Sequence, residues 1–137
     1  MGTIVLDAGV VIAMLERQDA HHREARTAIL AARDRGDRFI LPASAYSEVL
    51  VHPSRRDQRS VDIADQAIEA IPAQIQPIDR AIARSAASIR ALSQPPLRLP
   101  DALVIATAMV VGADRVYSTD RRLTGRGVDV DLITGAA

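Results

Sequence analysis

Four acidic residues stand at points where the chain leaves an apolar run. Asp7 ends the stretch 3–6, and Glu48 lies in the second turn of the helical pattern that follows 38–41. Asp101 comes directly after Pro100, ahead of a long stretch without charge, and Asp120 follows 115–119. In open α/β sheets, sites form beyond the carboxyl ends of the strands, and these are the polar residues that fall there. Carboxylates that converge repel one another. A single pair about 4 Å apart costs about 4 kcal/mol at an effective dielectric near 20. Such a cluster must take up protons or hold a cation. Oxygen ligands without Cys or His favour Mg²⁺ or Mn²⁺. Ions of that kind activate water and clamp a phosphodiester for in-line displacement.

Each acid also has an ordinary explanation. Asp7 can cap a helix, and Asp120 can make the turn "TDRR". Asp101 fits a first helical turn opened by proline, where the helix dipole favours negative charge. Glu48 has no Ser or Thr three residues earlier to complete a capping box, since position 45 is Ala45. An exposed helical Glu is nevertheless unremarkable. Asp79 follows a short candidate strand and opens a helix, so position alone does not exclude it. Asp57, Asp62, Asp65 and Glu69 occupy polar positions and are read as solvated.

The elements that must position these residues alternate along the chain. Strands are expected at 3–6, 38–41, 74–78, 115–119 and 128–133, with Pro77 pushing the third towards a sheet edge. Helices are expected over 8–16 and 19–35, the latter capped by Asp19 and ended by Gly36. Further helices are expected from 43, over 61–71, over 79–92 capped by Asp79, and from the loop 93–100 to about residue 111. The segments 25–32 and 61–71 repeat apolar residues at i, i+3, i+4 and i+7, and the last helix is apolar all round and therefore buried. The segment 53–60 reads as a loop entering a helix. Strand–helix alternation implies right-handed crossovers and a mostly parallel sheet of about five strands, with helices on both faces. The expected organisation is one domain, 1–137.

Composition narrows the function classes. The 137 residues contain no cysteine, which excludes disulfides, zinc fingers and thiol nucleophiles. No apolar run is long enough to span a membrane. The start of the chain lacks a basic leader and carries Asp7 within its apolar stretch, so no signal peptide is expected, and Leu6 does not fit a myristoylation signal. These features fit a cytoplasmic location. Net charge is zero, but all 17 cations are arginine, whose planar fork suits phosphate. With Phe39, Tyr46 and Tyr117 the only aromatics, base stacking on an aromatic platform is not expected. The neighbours His21 and His22 are read as a solvated helix face. The absence of lysine argues against a receiver domain, and no glycine-rich phosphate loop is present.

Four segments, "IVLDAGVVIAML", "LPASAYSEVL", "LRLPDALVIATA" and "VYSTDRRL", resemble in order and spacing the four acidic motifs of the PIN domain family. The resemblance runs from about residue 3 to 133, and "LPDALVIATA" with "STD" is its most specific part. It implies an α/β/α sandwich and a metal-dependent ribonuclease, similar for a small free-standing chain to the toxin of bacterial VapBC-type toxin–antitoxin pairs. The implied acids fall on Asp7, Glu48, Asp101 and Asp120, holding Mg²⁺ or Mn²⁺. Ser118 fills the place of a hydroxyl residue two before the last acid, and Asp79 falls outside the site. Two departures stand out: Gly9 where a small hydroxyl residue is common, and Leu123 where an aromatic is frequent. The implied partners are RNA and a cognate antitoxin, and the resemblance admits a homodimer. The helices before Gly36 and the segment 61–71 offer a groove for an antitoxin helix, whose arginine could enter the acidic site. Arg121 and Arg122 are candidates for RNA phosphate contacts. The alternative is a PIN-like module that binds RNA or protein without cutting.

Overall fold

The computed structural model describes residues 1–134; the last three residues of the expected domain lie outside that range. The β-branched and apolar runs form β1 (Thr3–Leu6), β2 (Arg38–Pro42), β3 (Ala73–Gln76), β4 (Arg115–Ser118) and β5 (Val130–Leu132). They make one parallel sheet in the order β3-β2-β1-β4-β5. The connections carry α1 (Ala8–Leu15), α2 (His22–Asp34), α3 (Ala43–Arg56), α4 (Gln58–Ala70), α5 (Arg80–Leu92) and α6 (Leu99–Val111). β3 lies at the sheet edge, where Pro77 just beyond it costs no ladder bond.

Alternation of side chains along the strands sorts the core into two layers. Ile4, Leu6, Phe39, Leu41 and Tyr117 pack with buried residues of α1 to α4, among them Val10, Val11, Ile29, Val49 and Ile68. Val5, Ile40 and Val116 point the other way, onto Val104, Ile105 and Ala108 of α6. α5 then covers the back of α6 through Ile82 and Ala86. Every residue from Asp101 to Ala108 is buried, which is why α6 is apolar on all sides. Ile105 is completely enclosed. Truncating such a side chain to alanine costs about 2–5 kcal/mol, so α6, and the acid at its head, are firmly anchored.

Several boundaries differ from the sequence expectation. α2 begins at His22, not at Asp19, because Asp19 spends its carboxylate on the His21 N–H. The segment 53–60 is not a loop: α3 continues to Arg56 with Pro53 inside it, and Asp57 both ends α3 and caps α4 by accepting from the Ser60 N–H. Asp57 is therefore a structural cap, and Asp65 is not free either, since it accepts the Tyr46 hydroxyl proton. His22 does not sit on a solvated face; its Nδ1 lies 2.7 Å from the Ala13 carbonyl oxygen and ties α2 to the end of α1. Asp79 caps α5 by accepting from the Ile82 N–H.

Candidate active site

The chain leaves β1 towards β2 on one side and returns on the other side as β4. At such a switch point the connections beyond the carboxyl ends diverge and leave a crevice. Asp7 emerges from β1 on one wall. Ser118 ends β4 on the other, followed by Thr119 and Asp120. The Asp7 N–H still donates to the Tyr117 carbonyl at 3.0 Å, so the two walls are held together up to the edge of the site.

Asp7 is both a helix cap and a buried acid. Its Oδ1 accepts from the Ala8 N–H at 2.8 Å, and its Oδ2 accepts from the Ser118 hydroxyl at 2.8 Å. Ser118 is fully buried, and its Oγ also accepts from the Asp120 N–H at 2.9 Å. One hydroxyl thus fixes the first acid to the backbone of the last. Asp101 enters from the first turn of α6, behind Pro100, with only 13% of its side chain exposed. Its nearest cation is Arg98, with Nε at 4.0 Å. Glu48 stands on α3 at the exposed rim.

These acids lie within electrostatic reach of one another. Burial raises the Asp7 pKa despite its two hydrogen bonds, with the charges of Asp101 and Asp120 adding to the rise. Partial burial raises that of Asp101, followed by the charge of Asp120. Partial enclosure raises Glu48 as well, followed by Asp7 and Asp101. Asp120 differs: its pKa is lowered, first by the Arg122 side chain. Among the described residues, no three Asp, Glu or His side chains stand together as a ready ion-binding group. Arg122 holds the fourth of these acids, Asp120. As donors, though, the acids are four carboxylates with no sulfur or imidazole among them, and among the described residues three accept no hydrogen bond from a cation. That set fits a hard divalent cation.

Three residues that bear on the site had not been singled out from the sequence. Arg98 and Arg126 lie within electrostatic reach of Asp101, and Arg98, three residues before Asp101 and just ahead of α6, was the readable signal. Thr119 is the third. A Cβ on Gly9 would overlap the Thr119 hydroxyl oxygen. The glycine two residues after Asp7 therefore makes room for a hydroxyl from the opposite wall. Leu123, the other departure, is fully buried against the α6 face of the sheet, where an aliphatic side chain does the packing.

A groove reaches this site. α1, α3 and α4 enclose a cavity of about 230 Å³ lined by Ile12, Leu15, Val49, Ile63 and Ala67, with Glu48 at its border. The expected groove between the first helices and 61–71 therefore has α3 as a wall. A second cavity joins α1, α2 and the end of α4.

The sequence pattern of the PIN domain matches residues 4–127. None of the curated proteins matches the chain. Among solved structures, a toxin–antitoxin complex from Klebsiella pneumoniae superposes with a TM-score of 0.77 at 20% identity, covering 97% of this chain and 99% of that one. VapC20 from Mycobacterium tuberculosis, described as a sarcin–ricin loop cleaving toxin, gives a TM-score of 0.74 at 16% identity over 91% and 95%. VapBC2 from Rickettsia felis, bound to a promoter DNA fragment, gives 0.77 at 8% identity over 95% and 98%. At these identities the likeness is one of fold.

Proposed function

We propose a function from the premise that this chain belongs to the PIN domain family: it is a divalent-metal-dependent endoribonuclease, the toxin of a toxin–antitoxin pair. The observation that supports this reading is that one buried Ser118 hydroxyl braces both Asp7 and the Asp120 backbone at the sheet's switch point, with Asp101 and Glu48 within electrostatic reach of Asp7 and no cation hydrogen-bonded to Asp7, Asp101 or Glu48 among the described residues. A purely structural role would have neutralised that charge.

In this reading Asp7, Asp101 and Asp120 would hold the Mg²⁺ or Mn²⁺ ion. When bound, the ion supplies Lewis acidity that acidifies water and offsets charge on a phosphodiester. Ser118 keeps the Asp7 carboxylate aimed into the crevice and braces the Asp120 backbone. Glu48, at the rim, would complete the site, as a further ligand or by orienting the attacking water. Arg98 and Arg126 neutralise backbone phosphates of the RNA. Cleavage of RNA by the wild-type chain should require Mg²⁺ or Mn²⁺, stop in EDTA and be absent from Asp7→Asn. Undiminished cutting in chelator overturns the metal mechanism. Binding of RNA without cutting under any divalent ion favours the non-catalytic module.

The partner in this reading is an antitoxin helix with apolar anchors at i, i+3 or i+4 spacing, seated in the groove of α1, α3 and α4. The likeness in fold to a protein of a toxin–antitoxin complex from Klebsiella pneumoniae supports it. Ile63 is 55% exposed at the groove. The product of the adjacent reading frame should co-purify with the wild-type chain and not with Ile63→Glu; separate elution of both counts against the pairing. The cellular site proposed is the cytoplasm; among the described residues no helix is long and apolar enough to cross a membrane.

A further inference from the structure

Arg122 occupies Asp120 completely. Asp120 caps the short 3₁₀ turn Arg121–Leu123 by accepting the Arg122 N–H at 2.9 Å. That cap folds the Arg122 side chain back over the same carboxylate. Its Nε then donates to both oxygens at 3.1 Å, and its Nη2 to Oδ2 at 2.7 Å. Both oxygens of one candidate ligand are thereby engaged by a single guanidinium. The same guanidinium lies within electrostatic reach of Asp101 and Asp7. Arg98, by contrast, meets Asp101 with one nitrogen at 4.0 Å.

An ordinary surface ion pair would stand apart from other charge. This one faces the acidic crevice, and among the described residues no other cation engages both oxygens of a candidate acid. A divalent ion and a bidentate guanidinium need the same lone pairs, so they compete for them. Once displaced, the guanidinium lies beside a cation unless an anion receives it, and a phosphate matches its fork.

We propose that Arg122 is the resident counter-ion of the candidate metal site: a divalent ion gains Asp120 only by displacing the Arg122 guanidinium, which an RNA phosphate then receives. The inference rests on the nuclease reading above. It makes metal and RNA binding mutually reinforcing, because each removes a cost of the other. The chain alone then binds metal weakly, and substrate completes the site.

Mn²⁺ alone, titrated calorimetrically into the RNA-free chain, tests this. Arg122→Gln keeps the backbone N–H that Asp120 caps, and Arg122 is exposed, so thermal unfolding should confirm an intact fold. Arg122→Gln should bind Mn²⁺ about three- to tenfold more tightly than wild type, the range expected for loss of one partly exposed bidentate competitor. Arg122→Lys, which keeps the charge and loses the fork, should fall between them. Arg98→Gln should change affinity less than Arg122→Gln. Equal or weaker binding by Arg122→Gln overturns the proposal while leaving the nuclease reading intact. An equal gain from Arg98→Gln also overturns it, since the effect would then be general charge. No Mn²⁺ binding by wild type or either Arg122 variant overturns both.

Discussion

Asp37, Asp114 and Asp131 at the amino end of the sheet are treated differently from Asp7 and Asp101 at its carboxyl end. At the amino end, Asp37 accepts from the Gly2 N–H at 2.8 Å and pairs with Arg35 at 3.1 Å. Asp114 accepts from the Thr3 N–H at 2.8 Å, and Asp131 pairs with Arg115 at 2.8 Å. Each acid there closes a strand end or spans two neighbouring strands. The Gly2 N–H, and then Arg35, hold the Asp37 pKa below its ordinary value. At the carboxyl end, Asp7 and Asp101 hydrogen-bond to no cation among the described residues; Asp7 feels the charge of Asp101, and both feel that of Asp120. Similar residues serve as staples where their charge is answered, and as a candidate reaction centre where it is not.

Exchanging acids for amides should separate the two ends most sharply. Asp7→Asn or Asp101→Asn should lower RNA cleavage on the order of a hundredfold or more, as for loss of one electrostatic group in a preorganised site, and leave the fold intact by circular dichroism. Asp37→Asn should leave cleavage within about twofold, the level of a surface change remote from the chemistry, while lowering Tm. Equal losses of cleavage at both ends would erase the distinction.

Ser118→Ala comes next. It removes a buried donor to Asp7 and an acceptor for the Asp120 N–H. Cleavage should fall roughly tenfold, within the range for groups that orient ligands, and stability by about 1 kcal/mol, measured by urea denaturation. Thr at this position should restore most of both.

Acidity should affect the ends with opposite sign. Asp7, Glu48 and Asp101 hold their protons to higher pH when folded than when unfolded. In the absence of divalent ions they therefore cost stability as pH rises above about 4 and through their raised values. Asp37 contributes stability above the ordinary carboxylate pKa and loses it as pH falls through its lowered value. Metal-free Asp101→Asn should consequently match or exceed wild-type Tm at neutral pH and lose that advantage near pH 4. Asp37→Asn should show its deficit at neutral pH and lose it in acid.

The smallest effect concerns Gly9. Alanine normally stabilises a helix over glycine by about 0.5–1 kcal/mol. Gly9→Ala alone should give no such gain, because its Cβ meets the Thr119 hydroxyl. Added to Thr119→Ala, it should recover the gain in a thermal melt.

Much of this was legible in the residues. The β-branched and apolar runs located the strands, and the uncharged stretch after Asp101 foretold a buried α6. The candidate acids were marked by following strands or opening helices, yet Asp79 has the same local signature and only caps α5. What separates them is the strand order, a property of long-range packing. Asp79 follows the edge strand β3, while Asp7 and Asp120 follow the two strands that flank the switch point. Helix boundaries failed where capping chemistry was misassigned, as at Asp57, where proline in a last turn did not end α3. The Arg122 fork and the Thr119 hydroxyl went unread because each depends on a side chain folding back across a turn or onto another strand's helix. Periodicity carries no record of either.

The central claim is that Asp7, Asp101 and Asp120 share one divalent ion. Thermal unfolding with and without millimolar Mn²⁺ tests it most directly, since an ion that binds only the folded chain raises Tm. The account predicts a rise for wild type and for Asp37→Asn, and little or none for Asp101→Asn. An equal rise in Asp101→Asn, or none in wild type, would contradict it.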